Sequence, residues 1–167
     1  AKYLKYLDGL ELNAEQWLDI YEYRTFLQSY IAFFTLLKYG SENMTPDELT
    51  LRKMQEVVTR LQSPKVKDYM LFTLLRDHVK YYGYKNTALL FKTFELQCSN
   101  ELMKEGLLEP YREYQKLTQK EKAPEFVMLD AKGTKHKLHE FKGRYIYIDV
   151  WATWCLPCKK ESPLFEQ

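Results

Sequence analysis

Two cysteines stand two residues apart in the stretch DVWATWCLPC, residues 149 to 158. Thiols at that spacing can close a structural disulfide, supply half of a zinc site, or work as a redox pair in which one sulfur attacks and the other resolves. The preceding RYIYIDV, residues 144 to 150, is dense in β-branched and aromatic residues and predicts a strand. A strand, a short loop and a helix in that order put Cys155 at the helix N-terminus, where unpaired amides and the macrodipole favour a thiolate. Cys158 lies three residues on, on the same helical face, close enough to bridge to Cys155 and expected to sit deeper. Pro157 suits the first turn, which needs no amide donor from it. Trp154 is expected to form a flat apolar platform beside the sulfur, and Trp151 to pack inside. Asp149 is an acid in an otherwise apolar strand. It either ends the strand in solvent or is held where it can take the Cys158 proton, and the residues alone leave both readings open.

The elements that must carry this segment come in two kinds. From residue 13 to about 120 the pattern is helical. Asn13 predicts the cap of a helix reaching Gly40; Thr45, Pro46 and Glu48 predict a capping box opening a second helix to about Gln62; Ser63 and Pro64 open a third that closes at Gly83. A fourth is predicted from near Asn86 to about Cys98. A fifth follows from Ser99 or Asn100 and is expected to be interrupted at Pro110. The aromatic residues Trp17, Tyr21, Phe26, Tyr30, Phe33 and Phe34 are read as helical core rather than a binding groove. Cys98 is read as a small buried hydrophobe. After the charged linker TQKEKAPE the period changes: EFVMLD, AKGT and KHKLHEF predict strand, turn and strand, with Gly133 in the turn, ahead of the strand at 144 to 150.

Composition narrows the function. With 167 residues and 46% hydrophobic content the chain can bury a core, as one ordinary domain or two small ones. Its 25 basic and 23 acidic residues leave a formal charge of +2, with Lys interleaved among Glu and Asp, which argues against a nucleic-acid partner. The longest uncharged apolar run, TFLQSYIAFFTLL, falls short of the roughly 20 residues that cross a bilayer. The first residue is Ala1 and AKYLKYLDG has no signal-peptide pattern, so a segment upstream is expected.

The segment APEFVMLDAKGTKHKLHEFKGRYIYIDVWATWCLPCKKESPLFEQ resembles the thioredoxin-like thiol-disulfide oxidoreductases of the bacterial cell envelope, the TlpA and ResA-like group. The resemblance rests on the APEF opening, the GT hairpin, the KG before the strand, the D-x-W-A-x-W-C-x-P-C box and Pro163. It implies a mixed fold: an all-α helical domain over 1–120, then, over 121–167, the first part of an α/β thioredoxin-like fold with hairpin, strand and the start of the active-site helix. It implies an enzyme exchanging protein disulfides through a CxPC dithiol, with Cys155 as nucleophile, Cys158 as resolving thiol and Asp149 as the family's buried acid. Trp154, Leu156 and Pro157 then border the substrate. Leu156 stands where thioredoxin itself has glycine. The implied partners are protein thiol and disulfide substrates and an upstream electron donor that the sequence does not name; no cofactor or metal is expected. An envelope or periplasmic location follows, with membrane anchoring outside this chain. The family's cis-proline strand falls after residue 167, so the natural protein is expected to continue for on the order of a hundred residues.

Other readings compete. His136 and His139 could complete a zinc site with the cysteines, but three residues apart on a strand they point to opposite faces. A c-type haem site needs His after Cys158, and Lys159 is there. A helical protein-binding module with a structural disulfide is the third class.

Overall fold

The computed structural model describes residues 9–40, 43–118, 123–130 and 132–161. The chain divides into two compact units, Ala1–Glu121 and Lys122–Gln167.

The first unit is a bundle of five helices: α1 (Tyr21–Tyr39), α2 (Pro46–Arg60), α3 (Pro64–Tyr82), α4 (Ala88–Gln97) and α5 (Glu101–Thr118). Their ends follow local chemistry. Thr45 and Glu48 form the reciprocal capping box of α2 with Pro46 at its first turn, and the Ser63 hydroxyl accepts the Val66 amide at the start of α3. Gly40 and Gly83 close α1 and α3 with φ of 77° each, a region that only glycine enters without strain. α2 packs against both α1 and α3, and α4 and α5 complete the core from the α3 side. Leu27, Ile31, Met54, Val57, Met70, Leu71, Leu75 and Phe94 are fully buried, each apolar side chain contributing about 1.5–3 kcal/mol relative to exposure.

Three expectations about this unit are corrected. The first helix does not start at Asn13: a 3-10 turn, Glu15–Trp17, precedes α1, and the Asn13 carboxamide oxygen instead accepts the Gln62 and Ser63 amides at 2.7 and 2.8 Å. The Tyr23 hydroxyl accepts the Ala14 amide and the Trp17 ring meets Tyr23 edge-on, which folds this lead-in back on the first turns of α1. The buried stripe of α1 is Tyr23, Leu27, Tyr30 and Ile31; Trp17, Tyr21 and Phe33 are exposed, while Phe26 and Phe34 are half-buried against the core. Finally, α5 runs through Pro110 unbroken. The proline forfeits one hydrogen bond at the Gly106 carbonyl. Leu108 and Tyr111 on either side of it are buried, and Tyr111 stacks on Phe91 with ring centroids 3.8 Å apart, so packing holds the helix across the defect.

In the second unit, β1 (Val127–Leu129) pairs antiparallel with β2 (Lys135–Lys137), Met128 opposite His136. Gly133 adopts φ 81° in the connecting turn, and the Asp130 carboxylate accepts the Lys132 and Thr134 amides, both at 2.8 Å. A 3-10 turn, Leu138–Phe141, follows in place of a longer second strand. The strand expected at 144–150 is not formed: these residues carry no ladder and are all exposed. A strand exists only against a neighbour, and no described residues pair with this one. None of the unit's described residues is buried. The short helix α6 (Leu156–Glu161) comes last.

Candidate redox site

Local sequence builds the site. The chain turns at residues 152–155, where the Cys155 amide donates to the Ala152 carbonyl at 2.9 Å, and α6 starts at the next residue. Cys155 therefore occupies the capping position ahead of α6, and its carbonyl accepts the Lys159 amide at 3.2 Å. Its sulfur accepts the Cys158 amide at 3.3 Å, as a Ser or Asp oxygen would at the same point. Pro157 lies in the first turn, where its missing donor costs nothing. Cys155 and Cys158 are joined in a disulfide, their Cα atoms 5.4 Å apart. An amide aimed at the Cys155 sulfur stabilises negative charge there once the bridge opens, which suits an attacking thiolate.

Around the bridge the surface is apolar and accessible. Trp154 is 84% exposed, and Leu156 and Pro157 are exposed beside it. Both cysteines are half-buried. Trp151 is exposed rather than packed inside. Asp149 is exposed too, and it makes no hydrogen bond or ion pair among the described residues. The buried acid expected at this position needs sheet neighbours to cover it, and none of the described segments does so.

The histidines are engaged elsewhere. His136 lies within 3.4 Å of Asp130 and 3.5 Å of Glu140; His139, in the 3-10 turn rather than a strand, bonds Glu125 at 3.0 Å. Asp130 is held below its ordinary value by the Thr134 amide above all. Burial raises Glu125, but the His139 amide and ring outweigh it and leave the carboxyl lowered. Cys98 is buried in the helical unit, and burial pushes its thiol up to about 11, which makes it inert as a nucleophile.

The family match covers this unit, and one relative's match is longer than the unit itself. The family model described as "AhpC/TSA family" matches residues 120–167. The second unit is similar to thioredoxin-like thiol-disulfide oxidoreductases. Thiol-disulfide oxidoreductase ResA of Bacillus cereus (strain ATCC 10987 / NRS 248) is 33% identical over 84 residues, 50% of this chain and 49% of that protein. ResA of Geobacillus kaustophilus (strain HTA426) is 40% identical over 45 residues, 27% of this chain and 26% of that protein; ResA of Bacillus subtilis (strain 168) is 46% identical over 41, covering 25% and 23%. The chain thus spans from about a quarter to about half of the length of these relatives. No solved structure matches it.

Sequence reasoning missed two buried acids of the helical unit. Glu56 is held by Lys38 at 2.8 Å and Arg60 at 2.7 Å. Asp68 accepts the Ser99 amide and hydroxyl at 2.9 and 2.7 Å, fastening the turn between α4 and α5 to α3. Each sits among apolar positions at helical spacing, a pattern that signals a buried charge needing a partner.

Proposed function

We propose that this chain carries the dithiol of a thiol-disulfide oxidoreductase that exchanges disulfides with protein substrates. The observation that carries the reading is the bridged Cys155 and Cys158 ahead of α6, with the Cys158 amide on the Cys155 sulfur. In the reducing direction, the Cys155 thiolate attacks one sulfur of a substrate disulfide, a mixed disulfide forms, and the substrate's other sulfur leaves as a thiolate. Cys158 gives up its proton and attacks the Cys155 sulfur, releasing the second substrate thiol and leaving the Cys155–Cys158 bridge. Two electrons pass to the substrate, and an upstream dithiol donor restores the pair. Asp149 takes the Cys158 proton in this reading, and Trp154, Leu156 and Pro157 border the docked substrate. Reversed, the same steps oxidise a substrate; a difference of about 30 mV in reduction potential is a tenfold change in the equilibrium.

The similarity to thiol-disulfide oxidoreductases supports the exchange reaction, and in this reading reduction is the working direction and the cell envelope the place. The division into two compact units and the start of the family match at residue 120 support residues 1–120 as a separate helical domain ahead of a partial thioredoxin-like domain at 121–167. No helix among the described residues is long and apolar enough to cross a membrane.

The test is covalent trapping. Reduced Cys158→Ala, incubated with a disulfide-bonded test protein and quenched by alkylation, should accumulate a mixed disulfide at Cys155 on non-reducing mass analysis. Cys155→Ala should accumulate none. Equal trapping by both variants would overturn the roles, and a bridge in the unaltered chain that resists mild reductant would make the disulfide structural.

A further inference from the structure

The helical unit has polar chemistry that the redox reading does not use. Residues 21, 24, 25 and 28 form one stripe of α1, and residues 69, 73 and 76 form one stripe of α3, at the i, i+3, i+4, i+7 spacing of a helix face. They line two cavities that share Gln28. One, of about 390 Å³, is lined by Tyr21, Arg24, Thr25, Gln28, Tyr69 and Arg76, without an acidic side chain. The other, of about 210 Å³, has Lys53, Thr73 and Asp77 in its wall.

The charged groups of these walls are under-committed. Arg60 and Arg112 each hold a carboxylate, but no carboxylate is paired with Arg24 or Lys53 among the described residues. Arg76 is oriented by Asp77, whose Oδ1 accepts Nε at 3.0 Å and Nη2 at 2.8 Å, and it lies over the Phe72 ring. That geometry leaves its other guanidinium nitrogen for a further acceptor. Thr73 is the clearest sign: it is 2% exposed, its hydroxyl has no hydrogen-bond partner, and it lines the smaller cavity. A buried hydroxyl left unpaired costs about 1–3 kcal/mol, so Thr73 calls for a partner such as a water, an ion or a ligand.

We propose that the groove between α1 and α3 binds a small dicarboxylate. One carboxylate sits between Arg24 and Arg76, where planar guanidinium donors match its two oxygens. The other takes the Lys53 ammonium and the Thr73 hydroxyl. Charge agrees: Arg24, Arg76 and Lys53 against Asp77 leave two net positive charges for a dianion. His78, which also lines the smaller cavity, has Nδ1 at 2.9 Å from the Thr50 hydroxyl and Nε2 at 2.9 Å from an Asp47 oxygen without hydrogen-bond geometry, and the two carboxylate contacts above do not use it.

Succinate is the probe, with acetate as the single-carboxylate comparison and inorganic phosphate as the other anion, titrated into the 167-residue chain at constant ionic strength. Side-chain NMR signals of Arg24 and Arg76 are expected to shift saturably, with succinate at least tenfold tighter than acetate. Arg24→Gln should weaken both ligands at least tenfold. Lys53→Gln should bring succinate down to the acetate level and leave acetate unchanged. Thr73→Val should weaken succinate several-fold without lowering thermal stability, a split that a packing role would not give. No saturation by about 20 mM succinate beyond a matched chloride control, or unchanged affinity in Arg24→Gln and Lys53→Gln, would overturn the proposal. Tighter binding of phosphate than of succinate would overturn it as well.

Discussion

Glu56→Gln tests whether a buried charge holds the helical unit together. The carboxyl is 1% exposed, with one oxygen on Arg60 Nε at 2.7 Å and the other on Lys38 Nζ at 2.8 Å. A hydrogen bond to a charged group contributes about 1.5–3 kcal/mol. Arg60 is 27% exposed and stacks over the Phe34 ring at 3.7 Å, so it keeps its place; Lys38 is 53% exposed and adds nothing to the sum. An amide is cheaper to bury than a carboxylate, which returns part of the loss. The expected destabilisation at neutral pH is therefore about 1–2 kcal/mol, a fall of about 0.5–1 M in the urea midpoint followed by helical circular dichroism. The pH dependence carries the sign. Burial raises Glu56, but the two cationic donors outweigh it and leave its carboxyl lowered. A lowered folded value means that the contribution is complete above the ordinary unfolded value of about 4.3 and is lost as pH falls through the folded one. The gap between Glu56→Gln and the unaltered chain should close below about pH 4. A variant as stable as the unaltered chain at pH 7 would refute the reasoning, because desolvation would then cancel the pairing.

Asn13→Ala removes the acceptor of two backbone amides and should cost about 1–3 kcal/mol in urea unfolding, whereas Asn13→Asp, which keeps an oxygen there, should cost less. An effect of Asn13→Ala within 0.5 kcal/mol of zero, about the usual range of surface substitutions, would show that the tie is idle. Pro110→Ala restores a hydrogen bond to α5. Proline is about 3 kcal/mol worse than alanine inside a helix, and its stiffening of the unfolded chain returns up to about 1, so the variant should gain about 2–3 kcal/mol. Its melting temperature should rise by at least about 4 °C, and no rise would mean that the helix is already adapted to the proline.

Helix boundaries set by neighbouring residues were legible in the sequence. Thr45 with Pro46 and Glu48, Ser63 with Pro64, and Gly40 and Gly83 all act within one turn of themselves, and the structure follows each. Where the reading failed, a distant contact overrode a local rule. Asn13 has the right residue type for a cap, yet its oxygen serves amides 49 and 50 residues away. Pro110 has the right type for a helix break, yet Leu108 and Tyr111 are anchored across it by α4 and the core. Residue type states what a group can do; only the partner decides which option is used.

The redox segment divides the same way. The turn at Ala152, the capping position of Cys155, the first-turn Pro157 and the bridge to Cys158 depend on a handful of adjacent residues, and the motif was enough to read them. The strand at 144–150 and the buried acid at Asp149 depend on neighbours that need not be near in sequence. Without a paired strand, Ile146, Ile148 and Val150 cannot share a buried face, and Asp149 stays in solvent. The nucleophile's position is thus written locally, while the environment that would bury the acid is not. A reduction potential takes both, since it weighs the bridged state against a dithiol whose charges the surroundings stabilise or expose. Covering residues 144–151 with sheet is therefore what would bury Asp149, as the role proposed for it beside Cys158 requires.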